Sequence, residues 1–218
     1  MKSGAIFDMD GLLVDTERIY GQCWHIAAEA FHQTWVEGFD KLVAGSNGGE
    51  MLRIIHTHFP DVDAQAFMEF CVNRARKIEE TNLRVMPGAV ELVRWFRSNG
   101  VRTAVASSSP HENINHVLGR IGLGGSFDAI VSGTDLPPGH EKPAPDIFLL
   151  AAERIGCTPE DCYVFEDSVN GCRAGIAAGC TTIMISDLFQ PTEDVKAGCA
   201  AVFHSLVEAA TEIQTGLL

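Results

Sequence analysis

The chain has 218 residues and a formal net charge of −13, with 46% hydrophobic and 21% charged residues. This length suits one large domain or a core with a modest inserted domain, and we expect a cytoplasmic protein because neither a membrane-spanning apolar run nor a signal peptide is visible. The negative charge argues against nucleic acid and against an anionic membrane as partners, but it permits a small anionic substrate where a metal ion and a lysine reverse the local potential.

The first predicted element is a short apolar strand, Gly4–Phe7, which two carboxylates, Asp8 and Asp10, follow at once. Negative charge at the end of a buried strand is costly unless another group compensates it. The stretch FDMDGLLVDTE, which runs from Phe7 to Glu17, therefore indicates a site that holds something positive.

The segment from residue 16 to residue 83 shows helical periodicity and no convincing strand. The apolar residues that carry the pattern are Ile19, Cys23, Trp24, Ala27 and Phe31, then Met51, Ile54 and Ile55, and finally Phe67, Phe70 and Cys71. We predict an all-helical cap domain at 16–83, inserted into a core formed by residues 1–15 and 84–218. The turn at Met86-Pro87-Gly88 marks the return to that core.

Strand-like runs alternate with helical patterns in the rest of the chain, which predicts an α/β fold with a parallel sheet. The further predicted strands are Val101–Ala106, Ala129–Val131, Cys162–Phe165 and Thr182–Ile185. Each is a continuous apolar run, as expected where helices cover both faces of a sheet. The predicted helices include Ala89–Ser98, one that opens at Ala144-Pro145-Asp146, and one that Ser109-Pro110-His111-Glu112 begins as a capping box.

The seven cysteines are an odd number without metal-binding spacing, and they are expected to be small buried side chains rather than disulfide partners.

Polar residues follow four of the predicted strands, at the end where open parallel sheets bind ligands. They are Asp8 and Asp10, then Ser107-Ser108-Ser109, then Glu141-Lys142-Pro143, and last Glu166-Asp167-Ser168. Such a group suits phosphoryl transfer: Asp8 and Asp167 offer oxygen ligands for Mg²⁺, and Lys142 and Ser107 can hold phosphate oxygens. One aspartate can act as nucleophile and another as proton carrier. Taken singly, each segment also fits a turn, a helix cap or a solvated strand end.

Four stretches, FDMDGLLVDTE, VASSS, EKPAPDIF and FEDSVNG, resemble in order the four motifs of the haloacid-dehalogenase superfamily. The resemblance is nearest to its β-phosphoglucomutase-like and small-metabolite phosphatase members, and it implies a Rossmann-like core with a helical cap. It also implies Asp8 as nucleophile and Asp10 as general acid/base, with Ser107, Ser108 and Lys142 on the phosphate. The implied Mg²⁺ ligands are Asp8, the Asp10 carbonyl and Asp167, with Glu166 in or next to the metal shell.

The resemblance leaves open whether water or a sugar hydroxyl accepts the phosphoryl group. β-Phosphoglucomutases carry a histidine where this chain has Tyr20, and an arginine in the cap loop that matches Ala44–Gly49, where this chain has none. A second anion site on Arg74, Arg76 and Lys77 remains possible for a mutase. We therefore predict a phosphatase of a small phosphorylated metabolite, with a phosphosugar mutase as the alternative.

A non-catalytic binding protein on the same fold is the alternative from another class, but it is disfavoured because Asp8, Asp10, Lys142 and Asp167 are all present. Thr16 and Tyr20 are predicted substrate contacts at the start of the cap. The expected assembly is a monomer or a weak homodimer.

Overall fold

The structure is a computed structural model that describes residues 1–43, 46 and 48–217. The chain divides into two compact units, one of Met1–Val14 with Val85–Leu218 and one of Asp15–Arg84. We call them the sheet unit and the helical unit. A search of the described residues found no helix with the length and apolar character needed to cross a membrane.

The described part of the sheet unit contains one six-stranded parallel sheet in the order β3-β2-β1-β4-β5-β6. The strands are β1 (Gly4–Phe7), β2 (Arg102–Ser107), β3 (Ala129–Ser132), β4 (Cys162–Glu166), β5 (Thr181–Ile185) and β6 (Ala201–Phe203). The predicted parallel α/β fold is confirmed, and the five predicted strands agree with β1–β5 to within one residue at each end. β6 was not predicted, because it is a three-residue edge strand whose central Val202 is 37% exposed.

Helices connect these strands. They are α5 (Ala89–Ser98), α6 (His111–Arg120), α7 (Asp146–Arg154), α8 (Val169–Ala177), α9 (Glu193–Gly198) and α10 (Leu206–Gln214). The helices predicted at Ala89–Ser98 and after Pro145 are confirmed at α5 and α7. α6 begins at His111, after Pro110, but no side chain caps it, so the predicted capping box at Ser109 is wrong.

Apolar side chains cover both faces of the sheet. On one face, Ile6 and Val164 belong to a buried cluster with Phe148 of α7. On the other face, Phe7 stacks on Phe165 with ring centroids 4.8 Å apart and meets Phe96 of α5 at 6.1 Å. Neither face is open to water, which explains why the strands are continuous, mainly apolar runs rather than alternating ones.

The helical unit contains α1 (Thr16–Ala30), α2 (Phe39–Val43), α3 (Gly48–His58) and α4 (Ala64–Asn82). Its core is aromatic: the Trp24 ring lies 6.0 Å from Phe67 and 5.8 Å from Phe39, and Phe59 joins them. The predicted helical character of this segment is confirmed. α2 was not predicted, because its five residues are too few to show a helical period.

Candidate active site

The register of the sheet places Asp8 at the carboxyl end of the central strand. Phe7 pairs with Val105 on one side and with Phe165 on the other, so Asp8 is level with Ala106 and Glu166. The Asp8 backbone N–H continues the ladder by donating to the Phe165 carbonyl at 3.0 Å. The extended backbone therefore presents Asp8 at the edge where parallel strands place ligands.

Lys142 connects three neighbouring strand ends. Its Nζ donates to Asp8 Oδ1 at 2.6 Å, to Glu166 Oε1 at 2.6 Å and to the Ala106 carbonyl at 3.2 Å. Its side chain is 6% exposed. Burial alone would lower its pKa, but the carboxylates of Asp8 and Glu166 outweigh burial and raise it above its usual value. Lys142 is therefore a permanent positive charge in this site.

Glu166 is held by protein donors on both of its carboxylate oxygens. Oε1 accepts from Lys142, while Oε2 accepts from the backbone N–H groups of Asp167 and Ser168 and from the Ser168 hydroxyl, each at 3.0 Å. Gly171 of α8 leaves the space for this carboxylate, because a Cβ at that position would overlap it. The arrangement fixes Glu166 in place and aims it at Lys142.

Asp10 is half-buried and lies against the segment that follows β2. Its Oδ2 accepts hydrogen bonds from the Ser107 hydroxyl at 3.1 Å and from the Ser109 hydroxyl at 3.0 Å. Ser108, between them, is exposed. The structure thus brings together Asp8, Asp10, Ser107, Lys142, Glu166 and Asp167 on one edge of the sheet, as the strand-end pattern predicted. Their catalytic roles stay predictions.

Three carboxylates at this edge form a candidate site for a metal ion. One oxygen from each of Asp8, Glu166 and Asp167 lies within 4.8 Å of the others, and all three residues are buried. Burial raises the pKa of Asp8 above its usual value, and the charges of Glu166 and Asp10 add to this rise while Lys142 opposes it. Hard oxygen donors with more negative charge than one lysine balances are the donor set that Mg²⁺ prefers, so the residues fit the predicted cofactor.

Two of the predicted substrate contacts belong to the helical unit. Thr16 is the first residue of α1 and is buried, and Tyr20 packs against the aromatic core of that unit. In the loop compared with the mutase loop, Ala44, Gly45 and Asn47 lie outside the described residues. The proposed substrate contacts of this unit therefore stay predictions.

Sequence reasoning placed Ser109 and Ser168 at the strand ends without finding their partners, and it missed Gly171. Ser109 was assigned to a helix cap, yet its hydroxyl is bonded to Asp10. Ser168 bonds Glu166 through its hydroxyl and also caps α8 by accepting from the Gly171 N–H. The FEDSVNG stretch contains both Ser168 and Gly171. A glycine five residues after a strand-end glutamate was the available signal that another group packs closely against the backbone there.

The fold agrees with the comparisons. The family model described as haloacid dehalogenase-like hydrolase matches residues 3–179. The chain belongs to this family, and its predicted assignment as a hydrolase of this superfamily is confirmed.

Several relatives are similar over most of their length. A phosphorylated carbohydrates phosphatase from Thermotoga maritima is 32% identical over 80% of this chain and 80% of its own. Fructose-1-phosphate phosphatase YqaB from Escherichia coli is 31% identical over 81% of this chain and 93% of its own. Among solved structures, a HAD family hydrolase from Deinococcus radiodurans with bound phosphate and sodium is 29% identical, with a TM-score of 0.77 over 100% of this chain and 97% of that one.

Proposed function

We propose that this protein is a Mg²⁺-dependent phosphatase that hydrolyses a small phosphorylated metabolite, with sugar phosphates as the first substrate class to test. The observation that carries the proposal is the arrangement of Asp8, Lys142 and Asp10 at one strand edge. Relatives named as phosphatases of phosphorylated carbohydrates and of fructose 1-phosphate support the substrate class.

In the proposed reaction, Asp8 is the nucleophile. Its carboxylate attacks the phosphorus atom, the bond from phosphorus to the ester oxygen breaks, and an aspartyl-phosphate forms. Lys142, 2.6 Å from Asp8 Oδ1, is placed to neutralise phosphate oxygens that arrive beside Asp8. The Ser107 hydroxyl and nearby backbone N–H groups are proposed to complete the phosphate site, with exposed Ser108 as a further candidate.

Asp10 is proposed to move the protons. It gives a proton to the departing ester oxygen in the first half of the reaction. It then takes a proton from the water that attacks the aspartyl-phosphate, which releases phosphate and restores Asp8.

The cation would be held by Asp8, by the Asp10 main-chain carbonyl and by Asp167. When bound, Mg²⁺ supplies positive charge against Asp8 and the phosphate oxygens. Glu166, whose oxygens already accept four hydrogen bonds from protein groups, is proposed to position Lys142 beside that shell.

The experiment is a phosphate-release assay of the purified chain over a panel of sugar phosphates, other metabolite phosphates and p-nitrophenyl phosphate, with Mg²⁺ or with EDTA. We expect Mg²⁺-dependent release from at least one metabolite ester. Parallel assays follow the interconversion of β-glucose 1-phosphate and glucose 6-phosphate. Interconversion faster than phosphate release would favour the mutase, and no release from any ester would overturn the proposal.

A further inference from the structure

Ser109 is a residue of this edge to which the proposed reaction gives no role. The sequence Ser-Pro-His-Glu resembles the start of a helix, but α6 begins at His111 without a side-chain cap. The Ser109 hydroxyl donates to Oδ2 of Asp10, a residue 99 positions away in the chain, at 3.0 Å. The side chain of Ser109 is therefore engaged in a long-range contact and does not cap α6.

Ser109 is itself restrained on several sides. Its backbone N–H donates to the Ser107 hydroxyl at 3.0 Å, and its carbonyl accepts from the Ser132 hydroxyl at 2.7 Å. The Asn113 side chain of α6 donates to its Oγ at 3.4 Å. These bonds come from β2, β3 and α6, so the position of the Ser109 hydroxyl is set by three elements of the sheet unit.

The hydroxyls of Ser107 and Ser109 donate to the same oxygen of Asp10, but the two serines differ in burial and in their other proposed contacts. The Ser107 side chain is fully buried and is also proposed to bind phosphate. Ser109 is half-buried and has no proposed contact with phosphate. Removing the Ser109 hydroxyl should therefore disturb the orientation of Asp10 and leave the proposed phosphate-binding groups, Ser107 and Lys142, in place.

We propose that Ser109 is a positioning residue that orients Asp10 for proton transfer to the leaving oxygen; this inference rests on the proposed phosphatase function. Proton transfer requires the protonated Asp10 carboxyl group to lie within hydrogen-bond reach of the ester oxygen, so a carboxyl group that has lost the Ser109 hydroxyl transfers its proton less efficiently. The effect depends on the substrate. An alkyl phosphate, such as a sugar phosphate, needs the proton because an alkoxide leaves poorly, whereas p-nitrophenolate leaves without one.

The test compares Ser109→Ala with wild type on two esters, the best sugar phosphate of the panel and p-nitrophenyl phosphate, in the presence of Mg²⁺. kcat/KM is the quantity to measure, because it reports the steps up to release of the leaving group. We expect a loss of roughly 10- to 100-fold on the sugar phosphate and less than about 3-fold on p-nitrophenyl phosphate. Ser109→Thr, which keeps the hydroxyl, should recover most of the loss.

Two further variants keep the test interpretable. Ser98→Ala removes an exposed hydroxyl that donates to the Trp95 carbonyl at 2.9 Å and accepts from the Asn99 side chain at 3.4 Å, and it should change neither value. Ser109→Cys keeps the side-chain volume while weakening the hydrogen bond, so it should repeat the substrate-dependent loss if Ser109→Ala folds poorly.

The outcomes separate the two proposals. Equal losses on both esters, or no loss on either, with an active wild type would overturn the role of Ser109 alone. A wild-type chain that releases phosphate from neither ester would overturn the phosphatase proposal and this inference with it.

Discussion

Two aspartates that lie two residues apart in the sequence have very different surroundings. The Asp8 region, formed by Asp8, Lys142, Glu166 and Asp167, is buried and charged, with ion pairs of 2.6 Å from Lys142 to both Asp8 and Glu166. In the Asp10 region, formed by Asp10, Ser107 and Ser109, the carboxylate accepts from two neutral hydroxyls at 3.1 and 3.0 Å.

The difference suits the two proposed roles. Hydrogen bonds to a charged group contribute about 1.5–3 kcal/mol each, and both carboxylates accept such bonds. Only Asp8 also faces a full positive charge among these contacts, that of Lys142 at 2.6 Å, whereas the two serine partners of Asp10 are neutral. A nucleophile benefits from a fixed position and a nearby cation, whereas a proton carrier must change its protonation state twice in each turnover. The variants below test whether the two regions can be disturbed separately.

Asp8→Asn should have the largest effect. It removes the nucleophile, so we expect phosphate release to fall by at least about 10⁴-fold on alkyl and aryl esters alike, while the fold remains intact. Asp10→Asn serves as the comparison variant: its loss, about 10²- to 10⁴-fold on a sugar phosphate, should be smaller on p-nitrophenyl phosphate. Steady-state kinetics on both esters measure this, and more than a few per cent residual activity in Asp8→Asn would contradict the nucleophile assignment.

Lys142→Met should destabilise the Asp8 region. The change leaves the buried carboxylates of Asp8 and Glu166 without their shared ion-pair partner, so the free energy of unfolding at neutral pH should fall by about 3 kcal/mol or more. Urea denaturation in EDTA measures the change. The control is Lys196→Met, which removes an exposed lysine paired with Glu193 at 2.8 Å. Its free energy of unfolding should stay within about 0.5 kcal/mol of wild type, and a similar loss in both variants would contradict the prediction.

Two glycines pack against the two regions, one against each, so a methyl group added at either glycine should disturb one region directly. In Gly171→Ala the new methyl group overlaps the Glu166 carboxylate, and in Gly133→Ala it lies 2.9 Å from the Ser108 carbonyl, next to the serines that hold Asp10. Each should cost about 1–3 kcal/mol by overpacking. Gly171→Ala should slow both ester types, whereas Gly133→Ala should slow the sugar phosphate more.

Gly119→Ala in α6 is the matched control for these two variants, because nothing lies within 4 Å of the added Cβ. It should be neutral or slightly stabilising, by up to about 1 kcal/mol. The free energy of unfolding and kcat/KM on both esters are the measurements. Identical substrate dependence in Gly171→Ala and Gly133→Ala would show that the two regions respond as one.

Asp135→Asn should have the smallest effect, and it depends on pH. Asp135 is held by His111, by Arg154 and by the backbone N–H of Ser132, whose hydroxyl supports Ser109. Burial alone would raise the pKa of Asp135, but the hydrogen bonds from these groups outweigh burial and hold it below its usual value of 3.8. The ionised form is therefore the one that stabilises the fold.

The sign of the pH dependence follows from that lowered pKa. Above pH 3.8 the free energy of unfolding of wild type should exceed that of Asp135→Asn by about 1 kcal/mol. The difference should shrink as the pH falls through the folded-state pKa of Asp135. Urea denaturation from neutral pH to about pH 3 measures the difference. A difference that widens as the pH falls below 3.8 would contradict this account.

Much of the Asp8 region could be predicted from the sequence. The apolar runs that end at Phe7 and Phe165 predict neighbouring parallel strands, and the carboxyl ends of such strands meet at one edge. The order of Asp8, Lys142 and Glu166 along the chain therefore sufficed to predict that they converge. The spacing of apolar residues and the position of polar residues at strand ends are local properties of the chain, so they can be seen in a single sequence.

The tertiary structure alone decided which partner each polar group takes. Local pattern assigned Ser109 to a helix cap, in which its oxygen would accept from a backbone N–H. In the fold its hydroxyl donates to Asp10, 99 residues away, and its oxygen accepts from the Asn113 side chain. Gly171 likewise matters through the Glu166 carboxylate that folds against it. Apolar periodicity determines where strands and helices form, whereas hydrogen-bond partners are chosen among all groups that the fold brings within about 3 Å.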